Sequence, residues 1–256
     1  MSAVGAPPAP ERPALDLNIA EKTFPGQGRH AVPVPVVRDL RLRVGARESV
    51  ALVGPSGCGK TTTLGIVAGL DRAFTGTVQG PADGRLACVF QEPRLLPWRS
   101  LAQNVELVLP PARRGDGSAR CWLERMGLGE AMARYPGQVS LGMQRRAALA
   151  RAFVTEPSLL LLDEPFVSLD GPTARRLRRL LVETLAERPC AALLVTHDLR
   201  EAITLADRVL ILSPRPTCIL AEIQVPGRRE ERTETDVERL RQDLLDRPEP
   251  AFRLIA

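Results

Sequence analysis

The stretch Ser49-Val-Ala-Leu-Val-Gly54-Pro-Ser-Gly-Cys-Gly-Lys60-Thr61-Thr62 decides the fold. Its first five residues form the short apolar run of a buried strand, and the pattern from Thr61 to Leu70 predicts a helix. Between them lies G-x-x-x-x-G-K-T. Glycines there let successive backbone N–H groups turn inward around phosphate oxygens, and the start of the helix adds partial positive charge. Gly54, Pro55, Ser56, Gly57, Cys58, Gly59, Lys60, Thr61 and Thr62 are therefore candidate nucleotide-binding residues. Lys60 is placed to reach the β- and γ-phosphates as a compact ammonium, a role the bulkier guanidinium fills poorly. The Thr61 hydroxyl suits Mg²⁺. Cys58 reads either as a redox-sensitive thiol near a helix start or as a small tolerated loop residue, with alkylation expected at the site.

Outward from this loop, short apolar runs at Arg85–Phe90, Leu159–Leu162, Ala191–Val195 and Arg208–Leu212 predict strands, the last closing the core. Helical patterns at 140–153, Thr173–Glu187 and Glu201–Leu205 separate them. Strands alternating with helices around a phosphate loop predict an α/β domain with a mostly parallel sheet. Two earlier strand-like runs, from Leu15 and through Val32 to Val44, predict an N-terminal antiparallel β subdomain. The stretch from about 92 to 154 predicts an inserted helical subdomain. Residues 1–13, rich in Pro and Ala, read as a disordered arm. Residues 14–226 then form the main domain, and 227–256 a charged tail with a solvated helix.

Composition excludes several classes. No apolar run approaches the roughly 18–20 residues of a membrane span, and the first residues lack the basic and apolar regions of a secretory signal. Five cysteines at wide spacing, with no C-x-x-C pair, suit neither a zinc site nor a disulfide scaffold and fit a reducing cytoplasm. The net charge is +5, and all the basic residues but Lys22 and Lys60 are arginines. A charge of this size over 256 residues is a weak nucleic-acid signal. The cluster Arg175, Arg176, Arg178 and Arg179 reads first as a solvated helix face.

Two strand ends supply chemistry. Leu159–Leu162 runs into Asp163-Glu164. At the C-terminal edge of a parallel sheet, Asp163 approaches the Mg²⁺ beside the phosphates, and Glu164 stands one residue further, able to polarise an attacking water. Val195-Thr196-His197 repeats the geometry and places His197 to contact a γ-phosphate. His30, in a Gly/Pro-flanked turn, reads as a surface residue. Gln91 follows the strand ending at Phe90 and suits Mg²⁺ ligation or water orientation.

Together these residues resemble the ATP-binding cassette (ABC) ATPases, a P-loop NTPase family, from about Leu15 to Leu220. The likeness comprises the phosphate loop at 54–61, Gln91, a signature region at 139–143, the acidic strand end at 159–164, the segment Ser168-Leu169-Asp170, and His197. The resemblance implies a homodimer in which ATP lies between the phosphate loop of one copy and Ser140 and Gly142 of the other. Asp170 belongs to the same cofactor-binding set, with Glu164 as general base, His197 on the γ-phosphate and Gln91 beside them. Phe24 matches the aromatic that stacks on adenine, a core Phe being the other reading. Where the family has L-S-G-G, this chain has Val139-Ser140-Leu141-Gly142, and Gln144-Arg145-Arg146 permutes the usual order of the following triplet. The branched Leu141 predicts slow hydrolysis.

The run Gln91-Glu-Pro-Arg-Leu-Leu-Pro-Trp98, followed by Asn104-Val105, is similar to the nitrate/sulfonate/taurine group of bacterial importers. That similarity implies two transmembrane permease subunits docking near Gln91–Val105, a periplasmic or extracellular solute-binding protein acting indirectly, no nucleic acid, and a peripheral position on the cytoplasmic face of the inner membrane. Leu95 and Trp98 read equally as interface or as internal packing. A soluble ABC ATPase acting on DNA or ribosomes is the rival reading, but the coiled-coil insertions, zinc modules or second cassette typical of those proteins are absent. A degenerate regulatory cassette, motivated by Leu141, is the other.

Overall fold

The computed structural model describes residues 12–26 and 32–254. Most of the arm expected over 1–13 lies outside the described residues, as does His30. In chain order the elements are β1 (Leu15–Phe24), β2 (Val34–Val44), β3 (Ser49–Val53), α1 (Lys60–Val67), β4 (Thr75–Gln79) and β5 (Leu86–Val89). The helices α2 (Leu101–Glu106), α3 (Ser118–Arg125) and α4 (Leu141–Phe153) follow. The chain then runs through β6 (Leu159–Asp163), α5 (Gly171–Glu187), β7 (Ala191–Thr196), α6 (Leu199–Leu205), β8 (Arg208–Leu212), β9 (Ile219–Gln224) and α7 (Glu234–Leu245).

Among the described residues these strands form two sheets. One is antiparallel, in the order β2-β1-β4. The other has the order β5-β6-β7-β3-β8-β9, parallel except for β9. Its central strands are buried on both faces, which is why they read as continuous apolar runs rather than alternating ones. Along β6, Leu160 and Leu162 pack with the helices α2 to α7, whereas Leu159 and Leu161 pack with β1, β2 and α1. Leucine has little intrinsic strand preference, so burial on two faces is what makes this segment a strand.

Register places the chemistry. Val53 pairs with Thr196 and Asp163 pairs with Val195, so the residues leaving β3, β6 and β7 emerge side by side at one sheet edge. Ligands of open parallel sheets bind at that edge.

Two strands depart from the sequence reading. β4 is mostly exposed and shows no alternation that would mark it. β9 adds an antiparallel edge beyond Arg208–Leu212, so that run is not the last strand of the core sheet. The charged tail is also more than a solvated helix. Val237, Leu244 and Phe252 are buried, and Arg232 donates to the carbonyls of Ile203 and Ala206 at the end of α6.

Candidate functional site

The loop after β3 turns through Gly57 and Gly59 with φ of +75° and +124°, a region that L side chains rarely adopt. At Gly59 a Cβ would also stand 2.9 Å from Thr217 Oγ1 and 3.0 Å from Val36 Cγ1, so glycine is required twice over. A cavity of about 300 Å³ opens above the loop, lined by Ser56, Gly57, Gly59, Lys60, Thr61, Thr62, Gln91, Glu164 and Arg215. Lys60 is buried and donates to the carbonyls of Gly54 at 2.7 Å and Pro55 at 3.1 Å. Those neutral acceptors are weaker partners than phosphate oxygens, so the ammonium is held ready for an anion. Cys58 corrects an expectation. Its thiol is 2% exposed and packs in the core, where a Cβ on Gly54 would meet it at 3.2 Å. A side chain so buried is shielded from alkylating reagents, whereas a backbone N–H role of Cys58 in the loop does not depend on it. A larger cleft of about 520 Å³, lined by Arg12, Trp122 and Phe153 among others, contains none of these residues.

Asp163 ends β6, buried, with its Oδ1 accepting from the Thr61 hydroxyl at 3.1 Å. Burial pushes its carboxyl above the usual range, and the Thr61 hydrogen bond and Lys60 pull the other way. No group of three or more His, Cys, Asp or Glu among the described residues could hold a metal alone. Magnesium in phosphate-loop proteins takes only one or two protein ligands, with substrate phosphates and water completing its shell. The adjacent Thr61 and Asp163 oxygens fit that demand.

Glu164 follows at φ +43°, a costly conformation for a residue with a side chain, fixed by its N–H donating to Val195 O at 2.8 Å. Glu164 lines the cavity, and its Oε2 lies 3.2 Å from Nδ1 of His197, which lines the pocket next to it. The strand ends of β6 and β7 thus bring a carboxylate and an imidazole together: Glu164 lines the cavity with Lys60, and His197 lines the adjoining pocket with Thr196 and Glu201. Gln91 lines the same cavity as Lys60.

Ser140, Gly142 and Asp170 lie elsewhere. Ser140 caps α4, accepting from Met143 N at 3.3 Å, and Asp170 caps α5, accepting from Thr173 N at 3.0 Å. The two caps touch through Gly142, where a Cβ would stand 2.8 Å from Thr173 Cγ2. Gly142 is therefore the glycine this packing requires, whereas Leu141 is 38% exposed at the helix start. The family resemblance puts this position against a second copy, so Leu141→Gly is expected to raise ATP turnover of the assembled complex several-fold. An unchanged or lower rate would refute the expectation.

Arg145 is a residue whose role sequence reasoning missed. Buried in α4, it donates to the carbonyls of Glu164 at 3.3 Å, Pro165 at 2.6 Å and Val167. The signature helix is thereby tied to the turn that carries Glu164. The permuted triplet was the only signal.

The run after Gln91 is pinned by Asn104. This buried amide accepts from Leu96 N at 2.7 Å and donates to the carbonyls of Leu96, Arg99 and Ser100. The structure separates the two readings of its apolar residues: Leu95 packs against the core, and Trp98 is 70% exposed. Phe24 is likewise no core residue, being 41% exposed. It pairs with Val34 on β2, two residues from the Val36 that abuts Gly59, so it stands at the phosphate-loop end of that sheet. Lys22 Nζ lies 4.3 Å from its ring centroid.

Glu201 also escaped the sequence reading. It is buried at the start of α6, accepting from the Thr196 hydroxyl at 2.7 Å. Burial pushes its carboxyl up to about 7, partly offset by the Thr196 bond, with Asp198 raising it and Arg178 and His197 lowering it. Since the folded value lies above the unfolded one of 4.5, its contribution is present below pH 4.5 and is lost as pH rises to about 7. Glu201→Gln is expected to flatten that fall and stabilise the protein at pH 8 by at most about 3 kcal/mol. Urea melts of both proteins at pH 5 and pH 8 would check this, and equal pH slopes would refute it.

Comparison with known proteins agrees with this geometry. The family model described as ABC transporter matches residues 37–167. The aliphatic sulfonates import ATP-binding protein SsuB 2 of Burkholderia cenocepacia is 44% identical over 220 residues, covering 83% of this chain and 78% of that protein. SsuB 1 of Streptomyces avermitilis is 45% identical over 214 residues, covering 83% and 80% respectively. Among solved structures, the dimeric post-hydrolysis state of the ATP-binding cassette MJ0796 bound to ADP and Pi superposes with a TM-score of 0.70 at 26% identity. It covers 83% of this chain and 99% of that one.

Proposed function

The chain belongs to the ABC transporter family, and from that premise we propose that it is the ATP-hydrolysing subunit of a bacterial importer of small organic anions bearing a sulfonate group. The observation that carries the catalytic reading is the position of Glu164, which lines the cavity with Lys60 and Thr61 and also contacts His197 from the adjoining pocket. In this reading Glu164 takes the proton of the attacking water, and His197 holds the γ-phosphate and keeps the carboxylate oriented. Lys60 and the loop N–H groups bind the β- and γ-phosphates, and Gln91 orients water. Thr61 and Asp163 would hold Mg²⁺, which when bound neutralises phosphate charge. Phe24 stacks on adenine.

Two copies close head to tail, so that Ser140, Gly142 and Asp170 of one complete the site of the other. That the MJ0796 cassette is dimeric supports the pairing of two copies. The segment Gln91–Val105, with exposed Trp98 on a loop pinned by Asn104, suits docking of two permease subunits at the cytoplasmic face of the membrane. A solute-binding protein would deliver cargo to those subunits. Among the described residues no helix is long and apolar enough to cross a membrane. Intact Lys60, Asp163 and Glu164 give the degenerate-cassette reading no support.

Reconstitution in liposomes with its permease and solute-binding partners tests the proposal. ATP-dependent uptake of a labelled alkanesulfonate, with little uptake of nitrate, is expected. Absence of ATP turnover in that complex would overturn the catalytic reading. Turnover coupled only to another solute would overturn the cargo.

A further inference from the structure

We infer that Arg215, in the loop joining β8 to β9, is a nucleotide-contacting residue of the phosphate cavity; the inference rests on the nucleotide site proposed above. Arg215 lines the same cavity as Lys60, Thr61 and Glu164, and its Nη2 would lie 4.0 Å from a Cβ on Gly57. Its guanidinium thus stands beside Gly57 of the phosphate loop. The side chain is exposed and enters none of the ion pairs among the described residues. An exposed arginine with no carboxylate, stationed on an anion-binding loop, is open to a ligand.

The loop that presents it is stiff. Pro214 and Pro216 flank Arg215 and fix their own φ, and the residue before each proline is restricted too. Ser213 Oγ donates towards the carbonyls of Pro214 and Pro216 and accepts from Cys218 N at 2.9 Å. Thr217 then pins the loop in two directions. Its hydroxyl donates to Cys58 O inside the phosphate loop, and its N–H donates to Val36 O on β2 at 2.8 Å. Arg215 is therefore held in register with the phosphate loop.

The chemistry suits a polyphosphate. A planar fork of donors matches two phosphate oxygens at once, which the Lys60 point charge cannot do. With Lys60 it gives the cavity lining two cations and the one carboxylate of Glu164, while Asp163, bonded to Thr61, is left to the metal; such a lining favours the more highly charged nucleotide.

Titration of the full chain with ATP, ADP and AMP, in the unsubstituted, R215Q and R215K forms, is the test. R215Q is expected to weaken ATP binding about tenfold, about 1.4 kcal/mol, ADP by less, and AMP not at all. R215K should recover part of the loss. In steady-state turnover the expected signature of R215Q is a raised KM for ATP with kcat retained. An unchanged ATP affinity overturns the inference. So does an equal loss for ATP and AMP, which would report a deformed loop. Failure of the unsubstituted chain to bind ATP would instead overturn the nucleotide site itself.

Discussion

Glu164→Gln is expected to lower ATP turnover by about two to four orders of magnitude, the range a general base contributes, while leaving ATP affinity within about threefold of the unsubstituted chain, since under half a decade is under 0.7 kcal/mol. The amide has nearly the shape of the carboxylate and still accepts from His197 through its oxygen, so the 3.2 Å contact can persist. It has no basic oxygen to take a proton from water. The groups that hold phosphate are untouched: Lys60 is anchored on Gly54 and Pro55, and Thr61 on Asp163. The strained backbone at residue 164 is set by the hydrogen bond to Val195, which the substitution keeps. Binding and chemistry should therefore separate cleanly. Steady-state phosphate release and equilibrium ATP titration on the same preparation measure the two. Turnover within threefold of the unsubstituted chain would show that proton abstraction is done elsewhere.

The parts of this site that could be read in the sequence are those whose residue types the chemistry dictates. The phosphate loop was legible because its turn demands glycine and its charge demands an ammonium. Asp163, Glu164 and His197 were legible because each ends an apolar strand, and parallel register then brings those ends together. What stayed hidden depends on pairings across the chain. Lys22 shows this well. With only two lysines present, Lys60 looks like the single position that needs one. Yet Lys22 is also buried, donating to Asp71 Oδ1 and Ala73 O at 2.8 Å each, partners about 50 residues away that no local pattern announces. β4 and the tail helix were obscured for a different reason. β4 lies mostly exposed with no apolar face, and α7 hides two buried residues among many charges. Arg215 sits in a turn that binds nothing by its own motif; only the pinning of Thr217 to Cys58 O brings it beside the loop.

Arg145→Met is expected to reduce kcat at least tenfold with little change in ATP KM, and to lower the melting temperature by roughly 6–12 °C, taking about 3 kcal/mol at 2–4 °C per kcal/mol for a chain of this size. The guanidinium satisfies the carbonyls of Glu164, Pro165 and Val167 from inside α4. Hydrogen bonds from a charged donor contribute about 1.5–3 kcal/mol each. The loss is offset in part because the charge is buried, its Nε has no partner, and burial already holds its pKa below the usual arginine value. A methionine fills similar volume, so little of the effect would come from a cavity. The catalytic loss follows from position. The three carbonyls belong to the turn that aims Glu164, and releasing them lets the carboxylate drift from His197 without touching Lys60 or Thr61. Arg145 is on this account a positioning residue, and Arg146→Met is its control. Arg146 donates from the same helix to Met126 O and Gly127 O in the helical subdomain, away from that turn. That variant should lose stability yet keep kcat. A kcat that falls equally in both variants would mean the signature helix acts only through its stability, whereas a fall confined to Arg145→Met would identify the guanidinium as the link between signature and catalytic base.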